Sequence, residues 1–230
     1  MDLNLSTHIS GKFNQELEDL RAALLAMGGQ VELQLSRTLT ALRTDDKRMA
    51  EKVVHDDHKI NQMEVSIDDE CMRIIARRHP IASDLRLVLT VVKINTDMER
   101  IGDEVERIAR MIAMHSLPAS ERIKSGMVDT GHQILDMLQQ SLNAFVRLDV
   151  DAAREVHRED KEVDAKYKQL LVQVISEMQQ REELDSGWLD VLWSLRAMER
   201  IGDRCQNICE YIIYYVEGVN LRHISPAEQK

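Results

Sequence analysis

The sequence contains few residues that interrupt helices and few aromatic residues. Only three prolines, nine glycines and 3% aromatic residues occur among its 230 residues. Charged residues, in contrast, make up 30%, and there are twelve methionines, which fill the cores of helical bundles well. Such a composition is typical of long helices.

Cysteines, targeting signals and long apolar runs are also scarce. Cys71, Cys205 and Cys209 are odd in number and are not spaced as a disulfide framework, which favours a reducing compartment. The N-terminal segment MDLNLSTHIS lacks the basic and apolar regions of a signal peptide. No apolar run approaches the roughly 20 residues that a helix needs to cross a bilayer. We therefore expect a cytoplasmic protein.

Positive charge is in deficit, with 30 Lys and Arg residues against 40 Asp and Glu residues and a net charge of −10. Nucleic-acid binding needs clustered Lys and Arg side chains, so we expect no nucleic-acid partner. The same acidity should repel anionic lipids. We therefore expect no direct membrane insertion and an association with membranes only through partner proteins.

Apolar residues recur at spacings of three and four along most of the chain, which predicts six amphipathic helices. The helices are expected to begin near Phe13, Met49, Leu87, Ile123, Ala152 and Val191. The second and fifth helices align, with Met49 on Ala152, and the third and sixth align, with Met98 on Met198. The alignment indicates an internal duplication with a shorter second loop in the second copy.

The duplication predicts an all-α fold of two tandem pseudosymmetric three-helix bundles with six long helices. The first repeat is expected to span 1–117, the second 118–220, and a flexible tail 221–230. His79 and Pro80 should end the second helix, Ser120 should cap the start of the fourth, and Gly218 should cap the end of the sixth.

The segment MERIGD occurs twice, at 98–103 and again at 198–203. In each copy a Glu and an Asp lie four residues apart, where like charges on a helix repel by roughly a few tenths of a kcal/mol. The glycine between them weakens a helix interior by about 1 kcal/mol relative to alanine. Neither feature stabilises a helix, so their repetition suggests a shared task. Helical periodicity places both carboxylates on an outward face, roughly opposite the core.

Two carboxylates on adjacent helical turns form half of a site for a hard cation, which prefers oxygen ligands. The second helix offers further oxygen ligands at Asp57, Asn61, Glu64 and Asp68, and the fifth helix offers Asp160 and Asp164. We predict one cation site per bundle, with Mg, Mn, Zn or Fe as the candidate ions. The predicted metal ligands are Glu99, Asp103 and Asp57 in the first bundle, and Glu199, Asp203, Asp160 and Asp164 in the second.

The alternative interpretation of MERIGD is a solvated surface held by ion pairs. The pairs would be Arg100 with Glu104, Asp103 with Arg107, and Arg196 with Glu199. Other candidate sites are weaker. His55 and His58 are best explained as a solvent-exposed pair, and Cys205 and Cys209 as small apolar residues. Only Asp129 and His132 approximate a di-iron Glu-x-x-His motif.

The sequence also lacks the motifs of common catalytic sites. It contains no phosphate-binding G-x-x-x-x-G-K-[ST] loop, nucleophile elbow or zinc-protease helix. We therefore expect a protein without catalytic residues and without a catalytic cofactor.

A Pro-x-x-x-Asp-Leu-Arg element, formed by Pro80, Asp84, Leu85 and Arg86, opens the third predicted helix before the first MERIGD. The second MERIGD continues into RCQNICEYIIYYVEG. With the duplication and the order of these motifs, the chain closely resembles the PhoU family of bacterial phosphate-signalling regulators. The resemblance covers the chain from Leu5 to about His223. It implies two pseudosymmetric three-helix bundles, and some members carry metal ions on acidic E-x-x-x-D surfaces.

The resemblance implies a non-enzymatic adaptor that negatively regulates the phosphate-starvation response and modulates phosphate uptake. The implied partners are PstB, the ATPase subunit of the phosphate-specific ABC transporter, and the sensor histidine kinase PhoR. We also expect a homodimer. One alternative is a metal-dependent enzyme or a metal-storage bundle that uses the E-x-x-x-D carboxylates, and another is a purely structural helical spacer.

Two differences between the repeats matter for the predicted function. Asn61 in the first repeat aligns with Asp164 in the second, so the two metal surfaces need not be equivalent. The second repeat also has Leu184, Asp185 and Ser186 in its loop in place of the Pro-x-x-x-Asp-Leu-Arg element. One-sided partner binding is therefore conceivable.

Overall fold

The structure, a computed structural model, describes residues 11–218 apart from 116, 182 and 184. The predicted tail 221–230, the N-terminal segment 1–10 and Leu184 lie outside the described residues. Regular structure in the described part is entirely helical. The helices are α1 Gly11–Thr44, α2 Lys47–Asp56, α3 His58–Arg78, α4 Ala82–Met114, α5 Glu121–Arg147, α6 Val150–Gln179 and α7 Gly187–Glu217.

The second predicted helix is divided into α2 and α3 at Asp57. The Asp57 backbone keeps helical angles, with φ −60° and ψ −34°. Its carbonyl accepts hydrogen bonds from the N–H groups of Ile60 at 2.9 Å and Asn61 at 3.3 Å. Because the chain continues in a helical conformation through Asp57, α2 and α3 together form one of the six long helices that the sequence predicts.

Two three-helix bundles form the molecule. The first consists of α1, the α2–α3 pair and α4, and the second consists of α5, α6 and α7. The bundles pack on each other along α1 and α5 and along α4 and α7, so that their apolar side chains join in one cluster. The predicted fold class is confirmed, while the repeat boundaries at 1–117 and 118–220 stay predictions. Within the described ranges, no helix is both long enough and apolar enough to cross a membrane.

The predicted helix ends are confirmed at three positions. Ser120 Oγ accepts a hydrogen bond from the Ile123 N–H at 3.4 Å at the start of α5. Gly218 follows α7 with φ 76°, and its N–H donates to the Tyr214 carbonyl at 2.9 Å. His79 ends α3 in the left-handed region, with φ 47°. Pro80, which cannot continue the helix, follows it.

The prediction of a shorter loop in the second repeat is wrong. Residues 79–81 connect α3 to α4, whereas residues 180–186 connect α6 to α7. The second repeat is shorter over this region because its helices are shorter. The α4 helix begins at Ala82, a full turn before Leu87, which aligns with the start of α7 at Gly187. That additional turn carries the Asp-Leu-Arg part of the Pro-x-x-x-Asp-Leu-Arg element.

Two glycines allow α1 and α5 to approach closely. A Cβ on Gly28 would lie 2.7 Å from Leu142 Cδ1, and a Cβ on Gly131 would lie 2.1 Å from Leu39 Cδ2. Gly28 aligns with Gly131 and Leu39 aligns with Leu142, so the two contacts are related by the pseudosymmetry. This packing explains why α1 contains Gly28 despite the low helix propensity of glycine.

The α4–α7 seam, the line along which these two helices pack, contains two ion pairs between the bundles. Arg204 on α7 contacts Asp97 on α4 at 3.0 Å, and Arg200 contacts Glu104 at 2.7 Å. The Asp97 side chain is only 3% exposed. Asp97 aligns with Ala197 and Glu104 aligns with Arg204, so neither ion pair has a pseudosymmetric counterpart. In both of these arginine pairs the carboxylate lies on α4 and the arginine on α7.

All three cysteines are buried and free, which confirms the interpretation of Cys205 and Cys209 as core residues. Burial raises the pKa of the Cys71 thiol to about 12 and also raises the pKa values of Cys205 and Cys209. The thiols are therefore protonated at neutral pH and are poor nucleophiles.

Glu16 connects α1 to the end of α3. Its carboxylate accepts hydrogen bonds from Arg78 Nε at 2.8 Å and Arg78 Nη2 at 2.9 Å, with Arg73 Nη1 at 3.4 Å. The Arg78 hydrogen bonds, with the Arg78 and Arg73 charges, lower the pKa of Glu16 from 4.5 to about 2. The carboxylate is therefore ionised and paired over most of the acidic range.

We expect Glu16→Gln to lower the free energy of unfolding by about 1 to 2 kcal/mol at neutral pH, because two charge-assisted hydrogen bonds are weakened. A lowered pKa stabilises the folded state above the unfolded-state pKa, and this contribution is lost as the pH falls toward the folded-state value. The difference between the two proteins should therefore shrink from pH 4.5 to pH 2. Urea denaturation across this range measures it, with the exposed Glu18→Gln as control. A constant difference would contradict the assignment.

Candidate metal centre

The two MERIGD segments lie on α4 and α7, where these helices pack against the middle helix of their own bundle. A Cβ on Gly102 would lie 3.2 Å from Ile60 side-chain carbons and 3.6 Å from Asp57 Oδ1. A Cβ on Gly202 would lie 3.0 Å from Asp160 Oδ1 and 3.3 Å from Val163 Cγ1. The glycines thus allow a neighbouring helix and its carboxylate to come close. This packing explains why a residue that weakens helices is present in both copies.

The first acidic cluster consists of Asp57 on the α2–α3 pair and Glu99 and Asp103 on α4, with Glu64 and Glu106 beside them. Asp57 is buried. Its Oδ2 accepts a hydrogen bond from Asn61 Nδ2 at 3.2 Å, while its Oδ1 is buried without a hydrogen-bond partner. Half of this buried carboxylate is therefore unsatisfied.

Burial and mutual repulsion disfavour ionisation in the first acidic cluster. Burial raises the pKa of Asp57, and the charges of Asp103 and Glu106 raise it further. Burial likewise raises the pKa of Glu99, with repulsion from Asp103 and Glu64. The pKa of Asp103 is raised by burial and by Glu106. A bound cation would relieve this repulsion.

The second acidic cluster consists of Asp160 and Asp164 on α6 with Glu199 and Asp203 on α7. One carboxylate oxygen each from Asp164, Glu199 and Asp203 lie within 4.8 Å of one another. Asp160 is buried at the Gly202 side of this group. The structure thus brings together all four residues predicted for the second bundle.

Asp160 is the carboxylate of the second acidic cluster with the largest shift in pKa. Burial, followed by the charges of Asp203 and Asp164, raises its pKa from 3.8 to about 6. Burial and Asp203 raise the pKa of Glu199, and burial and Asp164 raise that of Asp203. Glu199 Oε1 pairs with Arg196, but its Oε2 is buried without a hydrogen-bond partner.

The ion-pair interpretation accounts for only part of this surface. The predicted pair of Arg196 with Glu199 is confirmed. Glu104 instead pairs with Arg107 at 2.8 Å and with Arg200 at 2.7 Å, so Arg107 is directed to Glu104. The predicted outward face is only partly correct, since the Glu199 side chain is 13% exposed. These carboxylates lie at the edge of a packed helix pair.

The acidic clusters have the donors that a hard cation needs. Mg²⁺ binds oxygen at about 2.0–2.1 Å and Ca²⁺ at about 2.3–2.6 Å, so two ligands of one ion lie no more than roughly 4–5 Å apart. The separation of at most 4.8 Å within the second cluster meets that condition. Asp57 Oδ1 and Glu199 Oε2 each offer a buried oxygen without a hydrogen bond. All these donors are oxygens, which suits Mg and Mn and is less selective for Zn.

The two clusters differ at the position of Asn61. Its pseudosymmetric counterpart, Asp164, provides one of the three closest carboxylates of the second cluster. In the first cluster, the Asn61 amide instead donates to Asp57 and brings no negative charge. Among the described residues, only the second cluster brings three carboxylates this close together.

Sequence reasoning missed several polar neighbours of the clusters. Glu106 acts on both Asp57 and Asp103, and its spacing of three from Asp103 was the available signal. His157, three residues before Asp160, lies 3.2 Å from Gln206 Nε2 and 3.3 Å from Glu210 Oε1. Its charge would lower the pKa of Asp160. No sequence pattern joined His157 to residues on another helix.

Comparison with known protein families places these features in context. The model of the PhoU domain family matches residues 24–112 and again residues 128–212. The chain belongs to the PhoU family. Each PhoU match covers one MERIGD segment and the acidic residues that face it, and the resemblance stated from the sequence is confirmed.

Relatives of similar length match nearly the whole chain. The phosphate-specific transport system accessory protein PhoU of Escherichia coli (strain K12) is 43% identical over 226 residues, covering 98% of this chain and 94% of the relative. The homolog of Pseudomonas aeruginosa is 44% identical over 228 residues, covering 99% and 94%. The similarity therefore extends through both repeats.

Two solved PhoU structures have the same fold. The crystal structure of PhoU from Pseudomonas aeruginosa superposes with a TM-score of 0.84 at 43% identity, covering 90% of this chain and all of that one. The phosphate transport system regulatory protein PhoU from Streptococcus pneumoniae gives 0.83 at 31% identity, covering 91% and 99%. The fold is thus retained even where two thirds of the residues differ.

Proposed function

We propose that this protein is a cytoplasmic, non-enzymatic accessory protein of phosphate-specific transport. In this role it couples the transporter ATPase PstB to the sensor histidine kinase PhoR and keeps phosphate-starvation genes repressed when phosphate is plentiful. The observation that carries the proposal is 43% identity to an accessory protein of the phosphate-specific transport system across nearly the whole chain. The long helical surfaces of two joined bundles suit an adaptor that contacts two partners.

Deletion of the gene is expected to derepress phosphate-starvation genes in phosphate-rich medium, because the kinase would lose its restraint. Alkaline phosphatase activity is the measurement, with the parent strain and a plasmid-complemented deletion strain as controls. In phosphate-poor medium the three strains should have the same activity. Unchanged repression in the phosphate-rich deletion strain would contradict the proposed regulatory role.

We also propose that the acidic clusters hold divalent or iron cations. Asp57, Glu99 and Asp103 would provide the ligands in the first bundle, and the second acidic cluster would provide those in the second. A bound cation supplies positive charge that offsets the repulsion among these carboxylates and joins two helices of one bundle. The support is the pair of buried carboxylate oxygens, Asp57 Oδ1 and Glu199 Oε2, that have no hydrogen-bond partner.

The unsatisfied oxygens also favour a second candidate function, a metal-dependent enzyme or a metal store. The two candidates differ in what metal does. An adaptor should capture the purified transporter ATPase whether or not divalent ions are chelated. An enzyme should bind metal stoichiometrically and turn over a small substrate only when metal is present. Affinity capture with and without a chelator, followed by mass spectrometry for PstB and PhoR, tests the adaptor, and metal analysis with an assay of substrate turnover tests the enzyme.

A further inference from the structure

One end of the α4–α7 seam exposes three large apolar side chains. Met114 at the end of α4 is 65% exposed, and Leu189 and Trp193 at the start of α7 are each 56% exposed. The antiparallel helices bring these residues together. His115 Nδ1 lies 3.0 Å from Asp190 Oδ2, and Ser194 Oγ lies 3.3 Å from Met111 Sδ. We call this group, with the neighbouring Arg107 and Arg196, the open end of the seam.

The pseudosymmetric end of the seam is covered by the protein itself. Lys93 Nζ lies 5.4 Å from the ring centroids of both Tyr211 and Tyr214. Trp193 aligns with Lys93, while Met111 and Met114 align with these two tyrosines. At the covered end, the Lys93 ammonium group lies over two tyrosine rings. At the open end, the aligned positions hold the exposed indole of Trp193 and two methionines. Trp and Met exposed together are typical of binding surfaces.

The open end is flanked by positive charge, although the chain as a whole is acidic. The Arg107 side chain is 43% exposed and its partner Glu104 is 8% exposed. The Arg196 side chain is 48% exposed and its partner Glu199 is 13% exposed. The carboxylates therefore lie beneath the guanidinium groups, and a molecule that approaches from solvent meets arginine first. Exposed Trp and Arg are the residues most enriched among binding hot spots.

We propose that the open end of the α4–α7 seam is a docking surface for an acidic amphipathic helix of a partner protein. The apolar face of that helix packs on Trp193, Leu189 and Met114. Its Asp or Glu side chains pair with Arg107 and Arg196. This recognition mode places an amphipathic helix along an apolar surface and uses charge to set its orientation.

The surroundings favour a narrow helix over a flat membrane or a second copy. A flat anionic membrane laid on the seam would also meet Asp103 and Asp203, which lie one or two turns from Arg107 and Arg196. Two copies joined symmetrically through their open ends would bring the arginines of each toward those of the other. A single helix, about 10 Å wide, can lie along the seam and direct its acidic side chains at the two exposed guanidinium groups, beneath which Glu104 and Glu199 lie.

The test uses the full-length protein and a fluorescently labelled synthetic peptide of about 18 residues, or five helical turns. The peptide carries leucine and phenylalanine on one face and glutamate on the other, and a second peptide carries lysine in place of glutamate. Fluorescence anisotropy measures binding. We expect the glutamate peptide to bind and to shift the emission of Trp193 to the blue, because Trp188, the other tryptophan, is already buried.

Variants locate the binding surface. Trp193→Ala and Leu189→Ala should each weaken binding of the glutamate peptide at least about tenfold, as expected for hot-spot residues. Leu89→Ala, which changes the aligned and also exposed leucine at the covered end, should bind as the parent does. Thermal melts should be unchanged in all three, since these side chains are largely exposed.

Four outcomes would overturn the proposal. The first is failure of the glutamate peptide to bind, the second is equal binding of the lysine peptide, and the third is undiminished binding by both open-end variants. The fourth is evidence that a membrane or a second copy of the protein occupies the surface instead. Binding to phosphatidylglycerol vesicles that Trp193→Ala abolishes would identify a membrane surface. A dimer that Trp193→Ala converts to a monomer, as measured by light scattering, would identify a second copy.

Discussion

Replacing Asp97 with alanine is expected to lower the free energy of unfolding by about 3 kcal/mol, near the lower end of the range for breaking a buried ion pair. The reason is that Arg204, 3.0 Å from Asp97 across the α4–α7 seam, would keep its charge and lose its partner. The lower end applies because the Arg204 side chain is 23% exposed and can reach some water. Urea denaturation of the parent and the variant provides the measurement.

A double variant distinguishes the ion pair from simple loss of packing. Asp97→Ala combined with Arg204→Met removes both charges and should recover much of the lost stability, because no unpaired charge is left in the seam. Arg158→Met breaks an exposed pair with Glu155 on the same helix and should cost no more than about 1 kcal/mol. Losses that simply add in the double variant would show that the pair is not coupled.

Added Mn²⁺ or Mg²⁺ is expected to stabilise the protein by about 4 kcal/mol for each site that it fills at a thousandfold excess over the dissociation constant, because a ligand that binds only the folded state stabilises it. For a chain of this size, that corresponds to a rise of roughly 8 to 16 °C in Tm. Thermal melts of chelator-treated protein, with and without each ion, including Zn²⁺ and iron, measure the change.

Removing the motif carboxylates should abolish this response. The variant loses four carboxylates whose pKa values are raised by burial and repulsion. Its substitutions are Glu99→Gln, Asp103→Asn, Glu199→Gln and Asp203→Asn. Without metal it should be as stable as the parent or slightly more stable. An ion-pair surface predicts a loss of at most about 1 kcal/mol instead. A parent whose Tm is the same with every ion would contradict the proposed metal sites.

A reciprocal exchange separates the two clusters. Asn61→Asp adds the carboxylate that the first cluster lacks and should increase the metal-induced stabilisation. Asp164→Asn gives the second cluster the composition of the first and should decrease it. Titration calorimetry of both variants provides the ion stoichiometry and affinity. The gain from Asn61→Asp and the loss from Asp164→Asn need not be equal in size. The first cluster has Glu106 as a neighbour, whereas the second has the aligned Gln206.

The fold could be predicted from the sequence because its main determinants are local or repeated. Apolar spacing reports the buried face of each helix, and Ser120 and Gly218 mark helix ends through their own backbone preferences. The loop between the second and third helices of each repeat was predicted less well. In the second repeat its length depends on where α6 ends and α7 begins, and no capping residue in the sequence marks those positions as clearly.

The candidate site was predicted residue by residue but not in its environment. The spacing of Glu199 and Asp203 reveals a shared helix face, and the duplication points to Asp160 and Asp164 as their neighbours. Spacing alone does not report how deeply Glu199 is buried by α6. Contacts between bundles, such as Arg200 with Glu104, join residues far apart in sequence and follow no helical period. They could be found only once the two bundles were placed together.

The two arginine–carboxylate pairs of the α4–α7 seam restrict how such a chain can evolve, because both carboxylates lie on α4 and both arginines on α7. Two free copies of the second repeat, joined as the repeats are joined here, would place Arg200 of each beside Arg204 of the other. Two copies of the first would place Asp97 of each beside Glu104 of the other, but Arg100, which aligns with Arg200, would lie beside the same Glu104 and offset that repulsion. A gene that kept only the second repeat would therefore encode a half that repels itself at this surface. The second repeat now depends at this surface on being inherited in one polypeptide with the first.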